Sequence, residues 1–475
     1  MIMALSDSDL VSGLAALIGK KHVLTTPEDM APYCKEWRGL FPGLARAVVR
    51  PGDTSEVAAL LKFCHRHRIP VVPQGGNTGL VGGQTPWDKG DEIVLSLQRL
   101  NRIRDVDPLS DTMVVEAGVT LLAAQEAAEK VDRLFPLSLA SEGSCTIGGN
   151  IASNAGGTAV LAYGNARELT MGLEVVLADG RVMDLLGRLR KDNTGYDLKN
   201  IFIGSEGTLG IITAAVLKLY PRPRAQVTVF AGLSSPAVAL ALLNHLKADF
   251  GASVTTFELL PRIALDMVCD HIAGNCDPLM TRHDWYVLAE ISGADENLNE
   301  RVTSSFGVAI EGTIIADAVI ASSLDQRMAL WRLRETLPEA QGHEGGSIKH
   351  DIAVPLAFVP QLIDDVCARV ERLVPGARPV PFGHLGDGNL HFNITQPKAM
   401  DRAAFMALWD DIGAIVYDET VKRRGSISAE HGIGRLKKKL LRAVKDPVAL
   451  AIMADLKRTL DPAGILNPGK VIDLD

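Results

Sequence analysis

At 475 residues the chain is too long for one ordinary core, so two or three domains are expected. Apolar residues at 47% and charged residues at 22% are those of a well-packed soluble protein, and the formal charge of −8 excludes an extended nucleic-acid surface. No apolar run reaches the roughly eighteen residues of a membrane span, and the cysteines Cys34, Cys64, Cys145, Cys269, Cys276 and Cys367 form no C-x-x-C pair.

Those cysteines read as reduced thiols. Asp7 and Asp9 precede a mildly apolar segment, Leu10 to Ile18, that lacks the basic start of a secretory signal. The compartment expected is the cytoplasm. Residues 1–45 read as helical and then irregular, with Trp37 to Gly43 as a loop. At Ala47 the pattern becomes strand, helix, strand: AVVRPGD, TSEVAALLKFCHRHR and IPVVPQGG. Thr54 or Ser55 is the expected helix cap, and Val57, Leu60, Leu61 and Cys64 share its apolar face. His65 and His67 fall in the basic last turn and complement the helix dipole.

Directly after the second strand comes GGNTGLVGG, Gly75 to Gly83, where backbone N–H groups can approach an anion without intervening side chains. It is not a G-x-G-x-x-G fingerprint opening a helix, and alone it is as compatible with a tight turn. Strands (EIVLSL, TMVVEAGVT) and a helix from Leu121 to Lys130 follow. Two further loops come next, SEGSCTIGGNIASNAGG ending at Gly157 and GSEGTLGIIT from Gly204. Three such loops, each near β-type apolar runs, point to one extended polyanionic ligand. YPRPR, Tyr220 to Arg224, reads as a crossover into a second α+β layer of roughly 200 residues ending near Thr420. His245, His271 and His283 in that layer are assigned no chemistry.

The stretch PFGHLGDGNLHFNI, Pro381 to Ile394, places His384 in a glycine-studded turn. It then alternates, with Leu390, Phe392 and Ile394 on one face and His391 and Asn393 on the other. In SISAEHGIG, Glu430 and His431 are flanked by Gly432 and Gly434. His384, His391 and Glu430 are candidate metal ligands; two imidazoles and one carboxylate leave positions open for water or substrate, as a catalytic site requires. Zinc is favoured on ligand chemistry, with manganese, iron or cobalt able to substitute. Arg334 in WRLRETLPEA and Lys349 in SIKHDIAVP, taken by themselves, are two charges among many.

RPGDTSEV, PQGGNTGLVGG, IGGNIASNAGG and NTGYDLKNIFIGSEGTLGIIT closely resemble the flavin-binding domain of the vanillyl-alcohol-oxidase-like flavoproteins. The resemblance implies FAD lying extended between two α+β subdomains, with its pyrophosphate on the first loop. Carried over, it assigns Pro73, Gly75, Gly76, Asn77, Thr78, Gly79 and Leu80 to FAD, then Ser144, Ile147, Gly148, Asn150, Asn154, Ala155 and Gly156, then Glu206, Gly207 and Ile212. Asn467 joins them from the tail motif Asn467-Pro468-Gly469-Lys470. Asn77 stands where some relatives carry a histidine bonded covalently to the flavin, so non-covalent FAD is expected.

GHLGDGNLH, SAEHGIG, the LRE helix and the K-x-D strand resemble the FAD-linked D-2-hydroxyacid dehydrogenases of that superfamily. This implies an α+β fold: a two-subdomain FAD-binding domain over 1–222, an α+β substrate domain over 223–420, and a C-terminal helical segment over 421–475 returning onto the FAD domain. It also implies that Arg334 and Lys349 face substrate carboxylates, and that His431 takes the hydroxyl proton while Asn393 adds a hydrogen bond. Pro338 stands where some members have a threonine, and Thr336 is the candidate replacement. The activity implied is oxidation of a D-2-hydroxy acid to the 2-oxo acid, with electrons passed to electron-transfer flavoprotein or a quinone-linked carrier. D-2-hydroxyglutarate, which has a second carboxylate, suits two cations better than D-lactate or glycolate does. Rival readings are a metal-dependent hydrolase or ligand-binding protein on a flavin scaffold, and an FAD oxidase. A homodimer is the commonest state for such chains.

Overall fold

The strand–helix–strand motif after Ala47 forms as Ala47–Val49, Thr54–His67 and Val71–Gln74. The helix cap is Asp53, one residue before the expected Thr54 or Ser55: its carboxylate accepts from the Glu56 N–H at 2.9 Å, and charge at a helix start favours a carboxylate over a hydroxyl. Thr54 instead donates to Glu174, at 2.6 Å. Val57, Leu60, Leu61 and Cys64 are fully buried as the spacing requires.

The computed structural model describes residues 5–474 and divides into two compact units, one of Met1–Gly156, Gly164–Arg222 and Glu430–Asp475, the other of Gly157–Tyr163 and Pro223–Ala429. In the first unit, Ala47–Val49 and Val71–Gln74 flank Ile93–Ser96 as parallel strands, with Val23–Leu24 on the outer edge. Buried on both sides, the three parallel strands are apolar up to Gln74 and Ser96 at their ends. A five-stranded antiparallel sheet makes the second subdomain, in the order Ile103–Asp107, Thr112–Glu116, Ile211–Lys218, Thr170–Val176, Val182–Leu185. The chain returns through the helix Pro447–Leu460, after which Leu466 bridges Val71.

The second unit is built on an eight-stranded sheet in the order Asp317–Ile320, Ala225–Leu233, Trp285–Gly293, Val254–Pro261, Arg378–His384, Asn389–Thr395, Ser347–Ile348, with Asp351–Ala353 also paired to Asn389–Thr395. Alternation along each strand sends side chains to two separate cores. Val287, Ala289 and Ile291 go to one, with Phe257, Leu259, Leu390, Phe392 and Ile394. Tyr286 and Leu288 go to the other, with Leu260, Val380 and Phe382, under the helices Arg262–His271 and Leu324–Glu335. Two acids stand on this second face. They are Glu290 and Glu258, both buried.

Candidate functional site

In the first unit the three glycine-rich loops meet around one cavity. Pro73, Gly75, Gly76, Asn77, Thr78, Gly79, Gly148, Asn150, Glu206, Gly207 and Ile212 line it, and so does His431. The close approach is made by backbone. A Cβ on Gly76 would lie 1.9 Å from the Ser144 carbonyl oxygen, and one on Gly207, whose φ is +70°, would lie 2.3 Å from the Pro73 ring. Ser144 thus presses on the first loop from behind. Ile147 donates its N–H to Val119, and Asn154, at φ 53°, accepts from the Arg167 N–H at 3.0 Å. Leu80 accepts from Arg38 through its carbonyl; Ala155 hydrogen-bonds Asn150 and Ala166 through its backbone, with Gly156 next in the chain. Asn467 clasps two loops together, donating to the carbonyls of Gly83 (2.9 Å) and Glu206 (2.8 Å).

Glu206 accepts the N–H groups of Ile433 (2.7 Å) and Gly434 (2.8 Å), which pins the segment just after His431. Burial raises its carboxyl to about 7, against the opposing pull of those two amides and of Lys437. Asn77 turns its amide to the carbonyls of Pro32 (3.0 Å) and Lys35 (2.9 Å). Among the described residues, the buried oxygens Asn77 Oδ1 and Thr146 Oγ1 have no hydrogen-bond partner. Backbone packed too closely for side chains and unpaired buried oxygens on the cavity loops fit a long, polar, phosphate-bearing cofactor.

In the second unit, Glu258, His384, His391, Asn393 and Arg334 gather on the second face of the sheet. His384 is the last residue of Arg378–His384, not part of the turn expected from its neighbouring glycines, because its backbone pairs in antiparallel register with Glu258. Its Nδ1 bonds the Glu258 carboxylate, and Arg334 Nε donates to the other oxygen at 2.6 Å. Burial alone would raise the Glu258 carboxyl, but the charges and hydrogen bonds of His384 and Arg334 outweigh it and hold it at about 2. The guanidinium of Arg334 lies 4.8 Å from the Phe382 ring centroid. The His384 and His391 rings are 5.4 Å apart and nearly perpendicular.

Sequence reasoning missed Glu258. It also missed Asp351, buried opposite His391 in the strand register and accepting from Asn389 at 3.0 Å. Asn393, expected to reach substrate, is buried and donates to Gln341 at 2.8 Å. Lys349 is exposed between Ser347–Ile348 and Asp351–Ala353. Thr336 closes the helix carrying Arg334, donating to the Arg332 carbonyl and accepting from Asn275, with Pro338 in the first turn of the next helix. In this unit Asp351 and His391 are among the side chains whose atoms suit a metal ion.

Residues 45–186 match the family described as FAD binding domain, and residues 222–471 match FAD linked oxidases, C-terminal domain. The mitochondrial D-2-hydroxyglutarate dehydrogenase of Arabidopsis thaliana is 38% identical, covering 98% of this chain and 82% of its own. Its counterpart from Bos taurus is 39% identical, over 98% and 84%. The solved structure of p-cresol methylhydroxylase, 18% identical, shares the fold with a TM-score of 0.77 over 98% of this chain and 97% of that one. Fold and loops define a flavoprotein of the vanillyl-alcohol-oxidase type. The chain belongs to the FAD-linked D-2-hydroxyacid dehydrogenases, and it is an oxidoreductase.

The cytoplasmic placement expected from the cysteines is corrected by these names, since both relatives are designated mitochondrial. Reduced thiols suit a mitochondrial matrix as well as a cytosol, so cysteine usage does not separate the two.

The cradle yields a first prediction. Gly76→Ala forces the first loop off the Ser144 carbonyl, and overpacking of this kind costs about 1–3 kcal/mol. FAD affinity falls by about 10–100-fold, read by fluorescence titration of the apoprotein. Unchanged affinity would show that the two loops are not held in this contact.

Proposed function

We propose that this chain oxidises D-2-hydroxyglutarate to 2-oxoglutarate with non-covalent FAD and a divalent cation, zinc in the first instance. When bound, FAD supplies the hydride acceptor and the cation a Lewis acid for the substrate hydroxyl. The observation that carries the reading is the buried Arg334 beside two imidazoles: its Nε is taken by Glu258, which turns the terminal nitrogens of the guanidinium to a substrate carboxylate. Lys349 gives the second carboxylate a point charge. His431, on the cavity wall, takes the hydroxyl proton as the C2–H bond breaks. His384, His391 and Glu430 hold the cation in this reading. Asp351 offers a further oxygen and Asn393 steadies the sheet face behind His391 through Gln341. Asn77, with its amide held on two carbonyls, has no nucleophile to bond to the flavin, which supports the non-covalent form. Electron-transfer flavoprotein or a quinone-linked carrier takes the electrons, and the chain acts as a homodimer.

Anaerobic bleaching of the flavin absorbance, followed by stopped flow, tests this. D-2-hydroxyglutarate bleaches fastest, D-malate more slowly and D-lactate least, and a chelator abolishes the rate until one divalent ion is restored. Preference for D-lactate would overturn the two-carboxylate assignment; indifference to the chelator would overturn the cation's part.

A further inference from the structure

We infer that Glu258 is a positioning residue that sets both the metal-facing nitrogen of His384 and the plane of Arg334. This rests on the site reading proposed above, which uses Glu258 only at Arg334, and extends that residue's part to His384.

Glu258 sits in the middle of Val254–Pro261, fully buried, on a face where its neighbour Leu260 is apolar. An uncompensated carboxylate there would be costly, and the structure supplies two donors, one to each oxygen. A carboxylate held ionised by Arg334 only accepts hydrogen bonds. The proton of His384 therefore lies on Nδ1, and Nε2 is the nitrogen able to ligate a cation. The other oxygen holds Arg334 at Nε, not at its terminal nitrogens, so the guanidinium is oriented without occupying the edge that would fork a carboxylate.

The helix Leu324–Glu335 that bears Arg334 is fixed by a second acid two turns earlier. Arg327 pairs with Glu290 at 3.1 Å, and Trp331 donates to the same carboxylate at 3.1 Å. Glu290 therefore holds the helix, while Glu258 holds the working end of Arg334. One acid reaching both His384 and Arg334 couples ligand and substrate clamp. A merely structural acid would need to reach neither.

Glu258→Gln separates these roles. The amide oxygen still accepts from Arg334, but the NH2 group faces His384 Nδ1 and drives the imidazole proton to Nε2. In histidine-labelled, metal-stripped protein, the 15N spectrum shows that tautomer change. Zinc affinity, measured by competition with a chelator, falls about 10–100-fold. Saturating zinc restores kcat, but KM for the hydroxy acid stays raised because Arg334 has lost its ionic partner. Glu258→Asp, which keeps the charge and guards against a failure of Gln to fold, retains the Nδ1 tautomer and raises KM with a smaller loss of zinc affinity. FAD content is the same in all three proteins. Zinc affinity and KM in Glu258→Gln within twofold of wild type would overturn the inference alone. A wild type that binds no divalent ion would overturn the site reading and this role with it.

Discussion

Replacing His431 with Gln lowers the rate of flavin reduction by about two to four powers of ten while FAD content stays at the wild-type level. Gly432 and Gly434, at φ 80° and 48°, turn the chain after His431, and the Ile433 and Gly434 amides are tied to Glu206, which also lines the cavity. The imidazole thus stands just before an anchored turn, which suits the proton acceptor proposed for it, since that group must meet the substrate at one distance. Its loss affects the bond-breaking step and not the carboxylate clamp, so kcat falls with little change in KM. Metal content separates two roles for this side chain: a base leaves it unchanged on substitution, and a ligand does not. A His431→Gln enzyme within threefold of wild-type kcat would end the assignment.

Local periodicity was enough to read part of this site. The two-residue alternation from Asn389 to Thr395 correctly separates Leu390, Phe392 and Ile394 from His391 and Asn393, because one side of that strand faces a core. Partners set by pairing between distant strands were not legible. Glu258 lies 126 residues before His384, inside an apolar run, and only the antiparallel register of the two strands makes it a neighbour. The same register makes His384 a strand residue despite the glycines beside it. Asn393 is directed to Gln341 by a helix that no local pattern connects to it. In the cradle, the resemblance picked out the loops. It did not distinguish residues that line the cavity from those, such as Ser144 and Asn467, whose contacts hold the loops in place. The compartment was misread because thiol chemistry constrains redox state, which two compartments share.

Lys457→Met is expected to loosen the cradle from outside it, with a cost of about 3–5 kcal/mol. Lys457 is buried in the helix Pro447–Leu460, and its ammonium has three acceptors: Asp461 at 2.5 Å, the Thr208 carbonyl at 2.8 Å and the Leu466 carbonyl at 2.7 Å. Thr208 belongs to the third glycine loop. Leu466 precedes Asn467, which clasps Gly83 and Glu206. One buried cation therefore fixes the loop and the clasp that closes over it. Burial lowers the lysine's pKa and the charge of Asp461 opposes this, so the pair is stable only as a pair. Methionine fills the volume but leaves Asp461 charged, with only the Ile465 and Leu466 amides to satisfy it. The temperature of FAD release, followed by the rise in flavin fluorescence, drops accordingly. Adding Asp461→Asn removes the stranded charge while keeping an oxygen for those amides, and it recovers a large part of the loss. A single variant that releases FAD at the wild-type temperature, or a double variant worse than the single, would show that the ammonium does not hold the loop and the clasp together.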